Sequence, residues 1–458
     1  MSTNIQKNQI TEGIIWRQLL LFFFPILLGT FFQQLYNTID SVIVGQFVGK
    51  EALAAVGGSS AQIVAFVVGF FTGLSSGASV TIAQFFGAKD SRSANKGLHT
   101  AYAIAAFGGL ILTVSGIILT PFLLEMMNTP ADIVADSAVY LRIYFAGIIF
   151  VLIYNMGSAI LRATGDSKRP LYYLIVCCII NIVLDVLFVI VFHMGVMGVA
   201  VATLIAQAIS AVLVTLKLMR SEGILKLSVK QIRFHGSILK MQLKLGLPTG
   251  FEAILFSITN IAIQSAVNTF GTDTTAAWSA YGKLDAIFWM VSTAFGIAIT
   301  TFVGQNYGAG KMDRVRKSTR VCLLMDFIVS AVLVVFLIAA RFLLFRLFTN
   351  DSHVIEIGCD MLVLITPWYI VYVFIEVIAG ALRGVGNVVV PVAITLLGVC
   401  VLRIAWLAAM LKISPTISAI ILSYPVTWVI TALAFIIYYI YITHKTIAGS
   451  SKKHVPKL

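Results

Sequence analysis

The sequence is poor in charge. Of its 458 residues only 11% are Asp, Glu, Lys or Arg, less than half of the roughly 25% usual in soluble domains. Hydrophobic residues reach 59%, against roughly 45–50% in such domains, and the mean hydropathy is +0.97. A chain so short of polar side chains cannot cover a water-facing surface, which excludes an ordinary soluble enzyme. It is also too hydrophobic to be disordered. Cysteine is scarce: Cys177 and Cys178 are adjacent, and Cys322, Cys359 and Cys400 stand alone, mostly in apolar runs. None has metal-ligand spacing, so buried thiols are expected in place of disulfides or a metal. Phosphate-binding motifs are missing too. Gly45-Gln46-Phe47-Val48-Gly49-Lys50-Glu51 has three residues between its glycines, not the four of a P-loop, and Glu51 replaces the Ser or Thr. Neither an ATPase motif nor a nucleophile–histidine pairing argues for an enzyme, and no cofactor is expected. The formal charge of +13 is spread over loops between apolar runs and forms no basic domain. It points to basic loops held at one membrane face, not to nucleic acid.

What is abundant is long apolar runs. A membrane span needs about 20 mostly apolar residues, and twelve such runs are expected, near residues 17–44, 52–83, 97–120, 138–162, 170–192, 197–219, 246–269, 276–303, 318–341, 360–382, 388–411 and 416–442. They lack the polar–apolar alternation of a β-barrel, so the expected fold is an all-α polytopic membrane protein. The first run is too long for a cleaved signal and reads as a retained span. Lys and Arg fall 25 to 5 in favour of the side holding both termini, which places the termini in the cytoplasm and the chain in the plasma membrane.

The chain contains itself twice. Ala83-Gln84-Phe85-Phe86-Gly87-Ala88 recurs 221 residues later as Gly304-Gln305-Asn306-Tyr307-Gly308-Ala309. The same interval carries Leu161-Arg162-Ala163-Thr164-Gly165-Asp166 onto Leu382-Arg383-Gly384-Val385-Gly386-Asn387 and Pro170 onto Pro391, and Pro25 meets Pro248 at 223. Six spans per copy is an even number, so both copies enter the membrane in the same direction, as parallel repeats. The expected organisation is an amino-terminal lobe (1–219), a cytoplasmic linker (220–245), a carboxy-terminal lobe (246–445) and a tail (446–458). Paired six-span lobes point to a transporter working by alternating access.

An acid inside a bilayer is costly unless paired or hydrated, so each is a functional candidate. Six of the nineteen acids fall in spans: Asp40, Asp185, Glu252, Asp285, Asp326 and Glu376. Asp40 ends a polar stripe on span 1 with Gln33, Tyr36 and Asn37 at helical spacing. Asn181 and Asp185 share a face of span 5, and Thr203, Gln207 and Ser210 share one of span 6. Two carboxylates with Asn and Thr oxygens make a hard-oxygen site for a proton or Na⁺, and two close acids should share a proton or bind a cation. Local hydrogen bonding between helices is the alternative. The positions about 221 residues on are Ala262 and Trp406, so the acid pair belongs to the first repeat only. Asp326 and Glu376 either bind a cation or pair with Arg320 or Arg383. Lys283 stands near Asp285, and Arg403 lacks an obvious partner. Gly69, Gly73 and Gly77 form a small-residue stripe for close helix packing, and Pro25 and Pro425 should kink their helices.

With these motifs in place, the chain resembles the multidrug and toxic compound extrusion (MATE) family over all twelve spans. The resemblance rests on Leu35-Tyr36-Asn37-Thr38-Ile39-Asp40, the 83–88 and 304–309 pair, residues 161–170, and Asn181-Ile182-Val183-Leu184-Asp185. It implies a V-shaped pair of lobes exporting cationic or amphipathic small molecules in exchange for H⁺ or Na⁺. It also implies a cation site at Asp40, Asn181, Asp185 and Thr203. Gln34 and Asn155 match polar cavity residues of some members, and with Tyr36, Asn37 and Glu252 they form the expected substrate contacts. Glu252 matches a span 7 acid used by others for coupling, while Tyr372 stands where some members carry a span 10 acid. A lipid-linked oligosaccharide flippase is the alternative, although few arginines lie within the spans. A major-facilitator carrier is disfavoured because Gly87 and Asp90 are too close for that family's loop motif. A monomer is expected.

Overall fold

The computed structural model describes residues 9–449. Twelve of its helices are long and apolar enough to cross a membrane: Ile15–Phe47, Lys50–Gly87, Ser91–Met126, Val134–Ala163, Lys168–Val191, Gly195–Met219, Gly236–Asn268, Thr272–Gly308, Met312–Arg346, Ser352–Gly384, Val389–Ile413 and Ile417–His444. These are spans 1 to 12. There is no β-strand among the described residues.

Most spans outrun their apolar windows because polar caps and basic side chains extend them beyond hydrocarbon. Asp90 caps span 3 by accepting from the Ser93 N–H at 3.0 Å, a hydrogen bond that holds its carboxyl below the usual carboxylate range. Asp351 caps span 10, accepting from the His353 and Val354 N–H groups at 2.9 and 3.3 Å. Span 7 begins at Gly236, well before its apolar run, and takes Lys240 and Lys244 into its first turns; such long side chains carry their charge to the interface.

Several spans are broken. Span 2 changes course at Gly58, between Lys50–Gly57 and Ser59–Gly87. Span 10 tightens at Thr366–Trp368 around Pro367. Span 12 is interrupted at Leu422, three residues before Pro425, whereas span 1 runs unbroken through Pro25. Spans 5 and 11 each contain a π-helical stretch, Val186–Val191 and Leu396–Val401. Such widened turns recur at functional sites.

The chain divides into two compact units, Phe22–Ala253 and Ile254 onward with the residues preceding Phe22. Both divisions fall inside helices, spans 1 and 7.

In the Phe22–Ala253 unit, a core of Leu98, Tyr102, Ile148, Leu152, Ile160 and Val214 joins spans 3, 4 and 6. Span 2 lies directly against the start of span 7. A Cβ on Gly73 would stand 2.4 Å from the Gly250 backbone nitrogen, and one on Gly77 2.4 Å from that of Gly246. Only paired glycines permit that approach. The loop before span 7 is tied down on span 3. The Ser228 N–H donates to His99 Nε2 at 3.0 Å, Asn95 donates to the Lys226 carbonyl at 3.2 Å, and His235 Nδ1 pairs with Thr100 Oγ1 at 3.1 Å.

In the other unit, spans 8 and 10 are central, with Phe288, Leu362, Ile365, Tyr369, Trp428 and Phe435 fully buried. The turn Gln9–Glu12 is held by Arg314 on the Ile10 and Gly13 carbonyls and by Lys311 on that of Thr11. All five cysteines are free and buried.

Candidate functional site

Helical periodicity puts Tyr36 and Asp40 one turn apart on span 1, Asn181 and Asp185 one turn apart on span 5, and Thr203 and Gln207 one turn apart on span 6. The Phe22–Ala253 unit brings these three pairs together. The carboxyl groups of Asp40 and Asp185 lie close enough to act directly on each other, with Thr203 close to Asp40. Asn181 Nδ2 donates to Thr203 Oγ1 at 3.5 Å, and Gln207 Nε2 to the Tyr36 hydroxyl at 3.4 Å. The cluster is dry: Asp185 is 0% exposed, Asn181 1%, Thr203 6% and Asp40 8%.

The hydrogen bonding of this cluster is one-sided. No N–H or O–H from the described residues reaches Oδ1 of Asp40, either carboxylate oxygen of Asp185, or Oδ1 of Asn181. Buried acceptors clustered without a donor, in a medium of low dielectric, are costly unless positive charge enters among them. Asp185 is also the last residue of ordinary α-helix in span 5, directly before the π-helical stretch.

Span 4 supplies a wall that the sequence reading missed. Tyr140 and Tyr144 stack at 6.2 Å, with Tyr144 within electrostatic range of Tyr36 and Tyr140 within that of both acids. Their i,i+4 spacing on an apolar span was the available signal, but it equally describes core packing.

The other expected positions are distributed differently. Gln34 and Asn37 are exposed on span 1, Asn155 is half-buried in span 4, and Glu252 is buried at 8% exposure in span 7. No hydrogen bond joins these four to the acid pair among the described residues. Glu376 is ion-paired to Arg383 at 3.0 Å, whereas Asp326 accepts from Ser330 at 3.1 Å with its Oδ2 unmet. Asp285 is bound by aromatic donors, Tyr281 at 3.3 Å, Trp289 at 2.7 Å and Tyr369. Phe288 is stacked on Tyr369 at 3.9 Å, and Arg403 lies over Tyr424.

Comparison with known proteins agrees with this architecture. The sequence profile of the MatE family matches two stretches, residues 25–187 and 248–407, which coincide with the internal repeat. The chain is 30% identical over 393 residues to the probable multidrug resistance protein YoeA of Bacillus subtilis (strain 168), covering 84% of each chain. It is 30% identical over 400 residues to the probable multidrug resistance protein YpnP of the same organism, covering 87% of this chain and 89% of that one. A crystal structure of a MATE protein in its bent conformation superposes with a TM-score of 0.91 at 20% identity, over 98% of this chain and 99% of that one. With its family profile matched in both repeats and twelve spans in the same fold, the chain belongs to the MatE family of multidrug and toxic compound extrusion transporters.

Proposed function

We propose that this protein exports cationic or amphipathic small molecules in exchange for H⁺ or Na⁺, and that Asp40 and Asp185 carry the coupling ion. One observation carries the reading: two buried carboxyl groups within interacting range, with Asn181 bonded to the neighbouring Thr203, have acceptors that no donor meets. A proton shared between the acids turns one into a donor to the other. A monovalent cation serves the same acceptors, with Asn181 and Thr203 completing a hard-oxygen set. Either guest neutralises the like charges that otherwise oppose each other.

Exchange requires that the ion and the substrate prefer different states of the transporter, since only a difference in affinity shifts an equilibrium. In this reading the ion enters from outside, lowers the affinity for substrate, and the protein returns inward-facing by alternating access, with both termini in the cytoplasm. Gln34, Tyr36, Asn37 and Asn155 contact substrate, and Tyr36 offers a ring face to a lipophilic cation. The names of the curated relatives support drug export over the flippase alternative.

The test is dye flux in proteoliposomes of purified protein, driven separately by a pH gradient and by a Na⁺ gradient. Flux under one gradient identifies the ion. Equal passive leakage under both, at the rate of empty vesicles, overturns the reading.

A further inference from the structure

Within the Ile254-onward unit, one buried cation has no role in the exchange described above. Arg403 stands in span 11, two residues past the π-helical stretch, and is 3% exposed. Its guanidinium lies 4.0 Å from the Tyr424 ring centre and 5.9 Å from that of Trp428. One terminal nitrogen donates to Thr427 Oγ1 at 3.0 Å, a thin supply of acceptors for a group with five N–H donors.

Two donors here have no acceptor: Arg403 Nε and Trp428 Nε1. Trp428 is 1% exposed, so neighbouring bulk water does not serve it. The buried acid of the same aromatic cluster, Asp285, lies near enough for its charge to act on Arg403 but makes no hydrogen bond to it among the described residues. Its oxygens are taken by Tyr281, Tyr369 and Trp289. A dry cation with an unmet N–H, beside a second unmet N–H, lacks an acceptor and not a further donor.

The repeat sharpens the point. Tyr424 and Trp428 stand 221 residues after Thr203 and Gln207, and Arg403 stands 221 after Ile182, the neighbour of Asn181. Where spans 5 and 6 set one acid, Asp185, near Thr and Gln, spans 11 and 12 set an arginine against Tyr and Trp. The first face has acceptors seeking positive charge; its repeat counterpart has donors seeking negative charge.

We propose that Arg403 and Trp428 form an anion site in spans 11 and 12, taking a halide or the head of a carboxylate. The guanidinium supplies charge and the indole N–H a second contact, while Tyr424 and Thr427 hold the arginine in place. The slight exposure of Arg403 confines the guest to something small.

The experiment uses the purified full-length protein in detergent with gluconate as the only other anion, and follows tryptophan emission during iodide titration. A saturable quench is expected, displaced by chloride if the guest is a halide or by acetate if it is a carboxylate. Arg403→Gln should weaken the saturable component by about tenfold or more, as expected for losing a charged hydrogen bond. Trp428→Phe keeps an aromatic ring but loses the N–H and this emitter, so its iodide affinity is read by calorimetry alongside the wild type; it should weaken binding several-fold and serves if Arg403→Gln does not fold. Asp40→Asn, in the other unit, should retain full iodide binding, so loss of exchange and loss of the anion site are read separately. A strictly linear quench in the wild type, a saturable one displaced by neither chloride nor acetate, or unchanged binding in Trp428→Phe overturns the proposal.

Discussion

Asp40 on span 1 and Asp185 on span 5 lie within interacting range of each other, and neither oxygen of Asp185 receives a donor from the described residues. In the proposed function a positive guest offsets the repulsion between these acceptors. Neutralising either acid therefore removes the reason for the guest to bind.

Asp40→Asn and Asp185→Asn are each expected to abolish gradient-driven efflux, bringing dye extrusion to the level of empty vesicles, while the protein still reaches the membrane in normal amount. Quantitative blotting of membranes alongside transport separates lost coupling from lost folding. Wild-type transport by both variants would remove the assigned site.

Glu252→Gln should give partial loss of transport. Glu252 is buried in span 7 but makes no hydrogen bond to the acid pair among the described residues. Full activity of this variant, set against silent Asp40→Asn, would confine coupling to spans 1, 5 and 6.

Gly73→Ala and Gly77→Ala each push a methyl to 2.4 Å from backbone of span 7. Overpacking of this kind costs about 1–3 kcal/mol, and here the obstruction is main chain that cannot rotate away. Thermal unfolding in detergent should show a midpoint lowered by several degrees. Gly282→Ala, where a Cβ meets nothing within 4 Å, should leave the midpoint unchanged or raise it.

The loop before span 7 should loosen in acid. His235 accepts from Arg233 through Nε2 at 3.4 Å and uses Nδ1 on Thr100. Burial, Arg233, Lys96 and His99 hold its imidazole below the ordinary histidine range. The attached form is thus the neutral one, and the detached loop takes up a proton more readily. Attachment is complete above the ordinary histidine value of roughly 6.5 and declines as pH falls through it. Trypsin cleavage at Lys226 to Arg233, normalised to a peptide substrate, should accelerate between pH 7.5 and 5.5. His235→Gln should flatten that response; an equal acceleration in the variant would exclude the histidine as its source.

All five thiols are buried, so the folded protein should react with less than one equivalent of a charged maleimide, and with five after denaturation. Rapid labelling of two or more thiols before denaturation would contradict the packing described.

Much of the fold is legible in the sequence because the bilayer imposes it. Length, hydropathy and the 221-residue echo lead to twelve spans in two copies, and the glycines at 69, 73 and 77 announce close packing without naming span 7 as the partner. Asp40 and Asp185 stand out because acids are rare in apolar runs, but their contact depends on how spans 1 and 5 rotate about their axes. Hydropathy is blind to such rotation, and equally to the π-helical stretches, since Val186–Val191 reads as any apolar segment. The start of span 7 is hidden by Lys240 and Lys244, whose charges mimic a loop. Tyr369 and Trp428 read as core aromatics. Their roles as a donor to Asp285 and a neighbour of Arg403 appear only when spans 8, 10, 11 and 12 are assembled.

The widened turn that begins immediately after Asp185 means span 5 winds one residue looser there than an ordinary helix. Excising a single residue from Val186–Val191 would leave composition and hydropathy almost untouched yet let the widened turn close into ordinary α-helix. Val189, in one apolar cluster with Ile43 and Val44, lies inside that turn, so the stretch should tolerate exchange of one aliphatic side chain for another with its looser winding intact, whereas the excision would remove that winding beside Asp185.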